Sequence, residues 1–384
     1  MNRINYGRQH IDYLDRRIVQ DSLKSDLITT GKYVVRYENL LKKSLRSNFI
    51  VTCNSGTAGL HLAFHAVNLK KNDVIIMPSI NFVASYSMAK NLGARIYLAD
   101  VDPISGILTP DKLIDCIKKN KLKIIKVVVT MYMGGFPANI IEFYNLKKKY
   151  NFKIIEDACH AFGASYVVNK KTLKVGSCKH ADLSVFSTHP VKTFTTGEGG
   201  IVSTNNKVFF NKMNLLKSHG IKRKNNYWNY DISEIGYNYR LSDINCALGI
   251  SQLNKINKFL KKRKKIYEQY YKSLNLFKNV IKFNEIDKNF PSYHLCIINI
   301  DFGKLKTNKD NFIRTLAKNN IFCQYHYIPL YNFSFYKKKI NKKNFKGSEK
   351  YFKNSVSLPI FYDLKNLEIK KIINLTKKFI SKKI

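Results

Sequence analysis

Acidic residues are scarce in this chain. It has 26 Asp and Glu against 67 Lys and Arg, a formal net charge of +41. A balance this basic raises the question of a nucleic-acid or membrane-surface partner. The modules that read nucleic acid are missing: there is no helix-turn-helix extension, zinc finger or RNP motif. Lys, Asn, Ile, Phe and Tyr are frequent together, as an AT-rich coding sequence would make them. A lysine-rich solvated surface is therefore the preferred reading, and no nucleic-acid partner is expected. No run of about 18 apolar residues exists, so no membrane span is expected. Residues 1–10 are polar and lack the apolar core of a signal peptide. The seven cysteines contain no C-x-x-C pair and no clustered ligand set. Their spacing excludes a zinc site and fits small buried side chains in a reducing compartment. A cytoplasmic protein without a metal is the expectation.

What is present excludes disorder. At 45% hydrophobic and 13% aromatic over 384 residues, the chain can bury a large core. Its length suits two or three domain-sized units, or one large unit with a satellite. Residues 10–47 show helical spacing, broken at Thr29-Thr30-Gly31. From residue 49 short apolar runs recur at 49–53, 74–77, 95–99, 124–130, 153–156, 183–186 and 200–203. Helical stretches at 57–68, 82–92, 110–120 and 139–150 separate several of them. This alternation predicts an α/β unit with a mostly parallel sheet, which binds ligands at the C-terminal ends of its strands. Residues 243–274 read as one long helix with a basic block at 261–265. Beyond it come a strand (293–300), a helix (308–319), a strand (321–327) and a final helix (365–381). They suggest a smaller α+β domain, with large and small domains at 1–250 and 251–384. The Lys/Asn-rich stretch 337–350 reads as a mobile surface segment.

Three segments carry chemistry. In Phe186-Ser-Thr-His-Pro-Val-Lys192-Thr-Phe-Thr-Thr-Gly-Glu-Gly-Gly200 a strand runs into a loop bearing Ser187, His189 and Lys192. A lysine among glycines and small hydroxyl residues at a strand end suits a Schiff-base site, where the amine approaches a bound aldehyde with a lowered pKa. Alone, with so many basic residues, it reads more simply as a surface lysine. Ile154-Ile155-Glu156-Asp157-Ala158-Cys159-His160 is an apolar strand with an acidic end. A carboxylate there either pairs with a pyridinium nitrogen or caps the following turn. Cys53-Asn54-Ser55-Gly56-Thr57-Ala58 leads from a strand into a helix whose N-terminus suits a phosphate. It lacks the Gly-Lys-Ser/Thr ending of a Walker motif.

The order of phosphate turn, pyridine partner and lysine is that of fold-type I enzymes using pyridoxal 5′-phosphate (PLP). From about residue 5 to 375 the chain resembles the DegT/StrS-type sugar-nucleotide aminotransferases. Pro78-Ser-Ile-Asn-Phe82, Glu156-Asp157-Ala-Cys-His160, Phe186 to Gly200, Gly236-Tyr-Asn238-Tyr-Arg240 and Ala247-Leu-Gly-Ile-Ser-Gln-Leu carry the resemblance. Ser218-His219-Gly220-Ile221, the segment Gln324–Lys337 and Leu358-Pro359 resemble the aminotransferases of pseudaminic acid biosynthesis. Ser55-Gly56-Thr57 departs from their usual Ser-Ala-Thr, and Met131–Gly135 is not a close match.

The resemblance implies a PLP fold-type I large domain and a homodimer with shared active sites. Lys192 would form the Schiff base and carry the proton between donor and cofactor. Asp157 would pair with the pyridine nitrogen and His160 with the ring hydroxyl. Phe82 would stack on one ring face, with Ala158 against the other. Thr57, Ala58 and Ser187 would hold the phosphate, with Asn238 of the second subunit. Arg240, also in trans, is either a contact for an acidic group of a substrate or an interface ion pair. His189 and His326 are substrate-side candidates, while most apolar and aromatic residues at 321–336 are expected to build core. The implied substrates are L-glutamate and a UDP-linked 4-keto-6-deoxy-N-acetylhexosamine. Another nucleotide sugar of the same family, or a basic nucleic-acid-binding regulator with a PLP-like domain, are the alternatives. The excess charge is concentrated late in the chain: residues 251–384 have 31 basic and 8 acidic residues, a net of +23, whereas 151–205 have 6 and 4, a net of +2.

Overall fold

A computed structural model describes residues 3–383, apart from 138, 225, 227, 286–288 and 337–339. Seven strands form one sheet in the order Phe49–Cys53, Gly200–Thr204, Leu183–Ser187, Lys153–Asp157, Val127–Met131, Val74–Pro78 and Arg95–Ala99. Gly200–Thr204 runs antiparallel to both its neighbours, and the other paired strands are parallel. The seven expected apolar runs are these seven strands. Most are buried on both faces, which is why they read as continuous apolar runs. Val127 and Val129 pack on one face with Leu60 and Phe64 of the helix Gly56–Ala66. Val128 packs on the other face with Leu113 and Phe143.

Register places the chemistry. Gly200 lies opposite both Cys53 and Ser187, and Asp157 lies opposite both Met131 and Val185. The ends of these strands therefore bring the Ser55 turn, the Ser187 loop and Asp157 to one edge of the sheet.

The later chain builds a second core. A three-stranded antiparallel sheet of Ile281–Phe283, Cys296–Ile300 and Ser355–Leu358 packs with helices Ile256–Leu274, Lys309–Ala317 and Asn366–Ser381. The N-terminal strand Ile4–Asn5 pairs in parallel with Ile321–Phe322, so the start of the chain is tied to its last third.

Three expectations are corrected. The long helix at 243–274 is two helices, Asp243–Asn254 and Ile256–Leu274. Lys255 breaks them apart at φ −97° and ψ 1°. Its ammonium is held by Asp12 at 2.8 Å and Asp15 at 2.6 Å. The strand at 321–327 shrinks to Ile321–Phe322, because residues 324–328 turn toward a cavity instead of extending. Of the segment read as mobile, 337–339 lie outside the described residues. The rest is a 3-10 turn, Lys342–Phe345, and a helix, Lys346–Asn354. The Asp100 carboxylate accepts from the N–H groups of Gly347 at 2.9 Å and Ser348 at 2.8 Å, pinning that helix start.

Candidate active site

The strand ends open onto a cavity of about 510 Å³. Lys192 reaches it from the loop that follows Leu183–Ser187. This loop is tightly specified. Thr195 Oγ1 donates to Thr188 O at 2.8 Å, and Thr188 N donates to Gly199 O at 2.9 Å. Helix side chains hold it from behind, with Asn245 Nδ2 donating to Thr196 O at 2.6 Å. Gln252 Oε1 accepts from Thr195 N at 3.4 Å. Burial pushes the pKa of the Lys192 amine down, and the nearby Cys159 and Asp157 partly restore it. A desolvated amine keeps more of its neutral, nucleophilic form.

Strand alternation separates the two acids at the end of Lys153–Asp157. Glu156 turns away from the cavity and accepts from the hydroxyls of Tyr132 and Ser184. Burial raises its pKa. Asp157 faces the cavity. Its carboxylate accepts from Ser85 Oγ at 3.0 Å and from Cys159 N at 3.3 Å. It thus caps the turn and still lines the cavity, so the two readings of this strand end are compatible.

Ser55 caps the helix Gly56–Ala66, its Oγ accepting from Ala58 N at 3.1 Å. Ser55, Gly56 and Thr57 line the cavity beside Ser187. A Cβ on Gly56 would lie 3.0 Å from Ser187 Cβ and 3.3 Å from Cys159 Sγ. Glycine here lets the turn approach the lysine loop closely. An N-terminal turn with its N–H groups aimed at open space is an anion cradle.

Three buried imidazoles back the cavity. His160 lies 4.5 Å from His294 and 6.2 Å from His326, ring centre to ring centre. Burial holds the pKa of all three below the ordinary range, that of His326 at about 3, so each ring is neutral. His326 Nδ1 meets Ser357 Oγ at 2.8 Å.

Residues 9–377 match the model of the DegT/DnrJ/EryC1/StrS aminotransferase family. The chain belongs to this family. It is 38% identical over 372 residues to the UDP-4-amino-4,6-dideoxy-N-acetyl-beta-L-altrosamine transaminase of Campylobacter jejuni strain 81-176, covering 96% of this chain and 95% of that protein. Among solved structures, Helicobacter pylori PseC, an aminotransferase of pseudoaminic acid biosynthesis, superposes with a TM-score of 0.90. It shares 28% identity and covers 99% of this chain and 100% of its own. Spr1654 of Streptococcus pneumoniae in its PLP form gives a TM-score of 0.90 at 26% identity, with both chains fully covered.

PLP is the cofactor of the DegT/DnrJ/EryC1/StrS aminotransferases, and this cavity fits it. An anion cradle, a carboxylate and an amine line the same cavity. Asn81, only 1% exposed, lines the wall with an Nδ2 that no atom of the described residues satisfies. Such a buried donor costs stability unless a bound group accepts from it.

Most of the expected site residues meet here. Lys192, Asp157, His160, Phe82, Thr57, Ser187, His189 and His326 all line the one cavity. Four do not. Ala158 is fully buried on the opposite side from Asp157, in the core with Tyr132 and Ala161. Alternation puts Cys159 on the cavity wall instead. Ala58 faces the core, and its N–H is taken by the Ser55 cap. Asn238 and Arg240 lie outside the cavity of their own chain. There the Asn238 carbonyl accepts from Asn54 Nδ2 at 3.2 Å. The 321–336 segment is also corrected. His326 is only 6% exposed, while Gln324, Tyr325, Tyr327, Ile328 and Phe333 line the cavity with it. Tyr331 is core, its hydroxyl donating to Glu349 at 2.8 Å. Sequence reasoning missed Tyr6 and Asn81, and favoured core over the cavity for Tyr327. Only Asn81 carried a signal, as a polar residue between an apolar strand and Phe82.

Proposed function

We propose that this protein is a cytoplasmic, homodimeric transaminase. It would move an amino group from L-glutamate to C4 of a UDP-linked 4-keto-6-deoxy-N-acetylhexosamine, as in pseudaminic acid biosynthesis. The observation that carries this reading is one cavity holding Lys192, Asp157 and the Ser55 turn, in a chain 38% identical to a UDP-sugar transaminase.

When bound, PLP supplies an electron sink for the carbanion formed beside the transferred nitrogen. The chain's own residues do the rest. The Ser55–Thr57 turn and Ser187 would hold the cofactor's phosphate. Asp157, fixed by Ser85 and by Cys159 N–H, would hold a proton on its ring nitrogen. Lys192 offers a largely desolvated amine that attacks a carbonyl and later moves a proton. The neutral His160 adds no charge, and its one N–H goes to the Tyr327 hydroxyl, whose own proton can face the cavity. Exposed aromatic Phe82 (52%) covers a flat ring from one side.

A second subunit completes the site in this reading. Asn238 and Arg240 reach no part of their own cavity. Exposed apolar side chains on the helices Tyr13–Ser22 and Lys32–Leu45 and on the segment between them, Leu14, Leu23, Leu27 and Val35 among them, offer a face for a second copy. The division into a cofactor-binding unit to about residue 250 and a smaller C-terminal unit belongs to the same reading. The seven cysteines are free thiols, the state a reducing cytoplasm maintains.

A rival sugar is favoured by one observation: the chain is also 29% identical to the GDP-perosamine synthase of Vibrio cholerae over 96% of its length. Purified enzyme assayed with glutamate against a panel of UDP- and GDP-linked keto sugars separates the two. Turnover confined to a UDP-linked 4-keto N-acetylhexosamine is expected. Turnover of GDP-linked sugars alone, or of none, overturns the proposal.

A further inference from the structure

The helix Ile256–Leu274 carries five consecutive basic residues, Lys261 to Lys265. Arg263 is the buried one, only 2% exposed. It shares the inward stripe with Phe259, Ile266, Tyr267 and Tyr270. Among the described residues no carboxylate pairs with it. Its guanidinium donates instead to three main-chain carbonyls: Nη1 to His294 O and Ile360 O, both at 3.0 Å, and Nη2 to Lys192 O at 3.3 Å. Nε has no partner.

Burying a guanidinium without a counter-ion costs several kcal/mol that an apolar side chain of similar size would not. What the guanidinium adds is a planar fork with several fixed donors. Here the fork ties together three segments distant in sequence. One carries the lysine of the site. One carries His294, whose ring lies 4.5 Å from that of His160. The third, Ile360, follows the strand Ser355–Leu358.

We propose that Arg263 is a positioning residue for Lys192. It fixes the main chain of the lysine loop against the C-terminal unit, and by doing so sets how deeply the Lys192 amine is buried. The inference rests on Lys192 being the PLP-binding amine. The titratable groups that line the cavity with Lys192 are Asp157, Cys159, His160, His189, Glu198, Tyr6, His326 and Tyr327, and the buried His294 behind them also feels its charge. None of these bonds the Lys192 carbonyl, so Arg263 acts from behind the site.

The direction of the effect follows from solvation. A loosened loop lets water reach the amine, and hydration raises an amine pKa that burial had lowered. Capture of PLP needs the neutral amine, so its pH midpoint should move up. The test uses full-length apo-protein of wild type, Arg263→Lys and Arg263→Met. PLP capture is followed by absorbance across pH, with equilibrium PLP affinity and thermal melting beside it. Arg263→Lys keeps the charge but not the three-way fork. It is expected to melt near wild type, capture PLP with an upward-shifted midpoint and lose roughly tenfold in affinity. Arg263→Met leaves three main-chain carbonyls without this donor, which outweighs the relieved charge burial, so it should share the shift and also melt lower. If Arg263→Met does not fold, Arg263→Lys decides by the same two readings. Wild-type midpoint and affinity in the folded variants, whatever their melting temperatures, overturn the proposal. Wild-type protein that captures no PLP at all would instead sink the role given to Lys192.

Discussion

The Tyr327 hydroxyl lies 3.0 Å from Nε2 of His160. On the other side of that ring, Nδ1 accepts from the Gly134 N–H at 3.4 Å. A main-chain N–H can only donate, so Nδ1 is the acceptor and Nε2 carries the proton. His160 therefore donates to Tyr327, and the tyrosine's own proton is free to point into the cavity that both residues line. Tyr327→Phe would leave a buried N–H without a partner, which costs ~1–3 kcal/mol. The expected result is a melting temperature a few degrees lower and PLP affinity about tenfold weaker, near ~1.4 kcal/mol. An absorbance titration of apo-protein with PLP checks it, and unchanged affinity would show the tyrosine to be a bystander.

Asp157 accepts from Cys159 N at Oδ1 and from Ser85 Oγ at Oδ2; an Asn amide keeps the first with its oxygen and can donate its N–H to the Ser85 hydroxyl in place of the second. Asp157→Asn should therefore fold and melt like wild type. It removes the negative charge that would hold a proton on the cofactor's ring nitrogen, so kcat should fall by roughly 10²-fold or more. Glu156→Gln is the control, because Glu156 faces away from the cavity. It should change stability more than turnover. Equal losses of turnover in the two variants would contradict the assignment.

The buried imidazoles make a prediction about acid. Burial first, and Lys192 second, hold His326 at about 3, below its ordinary value of 6.5. Above pH 6.5 the group is neutral both folded and unfolded, and its full contribution is present. As pH falls from 6.5 the unfolded chain takes up the proton first, so stability is lost progressively down to about pH 3. His326→Gln, whose amide can still meet Ser357, removes one such proton. Urea unfolding across this range should show a pH slope flatter by up to one proton, about 1.4 kcal/mol per pH unit. An identical slope in the variant would mean His326 titrates normally.

Legibility differed sharply between parts of the chain. All seven sheet strands were readable because burial on both faces leaves uninterrupted apolar runs. The break at Lys255 was not, since helical spacing continues across it and only the contacts to Asp12 and Asp15 reveal it. The lysine, the carboxylate and the phosphate turn were legible because each sits beside a strand end in a short motif. Ala158 was misplaced for want of the alternation that starts at Asp157. Arg263 was hidden in a basic block that reads as a solvated face. The signal was its position, four residues after Phe259 and four before Tyr267, on the stripe that the helix buries. Tyr327 was assigned to core because aromatic residues near a strand are usually packed there. Its place on the cavity wall depends on a turn that periodicity does not predict.

Gly200 joins fold and site at one atom. It pairs with Cys53 on one side and Ser187 on the other, at the point where the phosphate turn and the lysine loop leave the sheet. A Cβ on Gly200 would lie 2.1 Å from Ser55 O and 2.8 Å from Cys53 Sγ. The first of these atoms is backbone and cannot swing aside. Relief requires moving Ser55, whose hydroxyl caps the helix Gly56–Ala66. Gly200→Ala is therefore expected to cost ~3 kcal/mol or more and to damage PLP binding beyond what the loss of stability explains. Ser203→Ala, three residues along the same strand and away from the cavity, is the comparison. Chemical denaturation and PLP affinity measured on both variants check the prediction. A Gly200→Ala protein with wild-type affinity would mean that the Ser55 turn does not hold the phosphate.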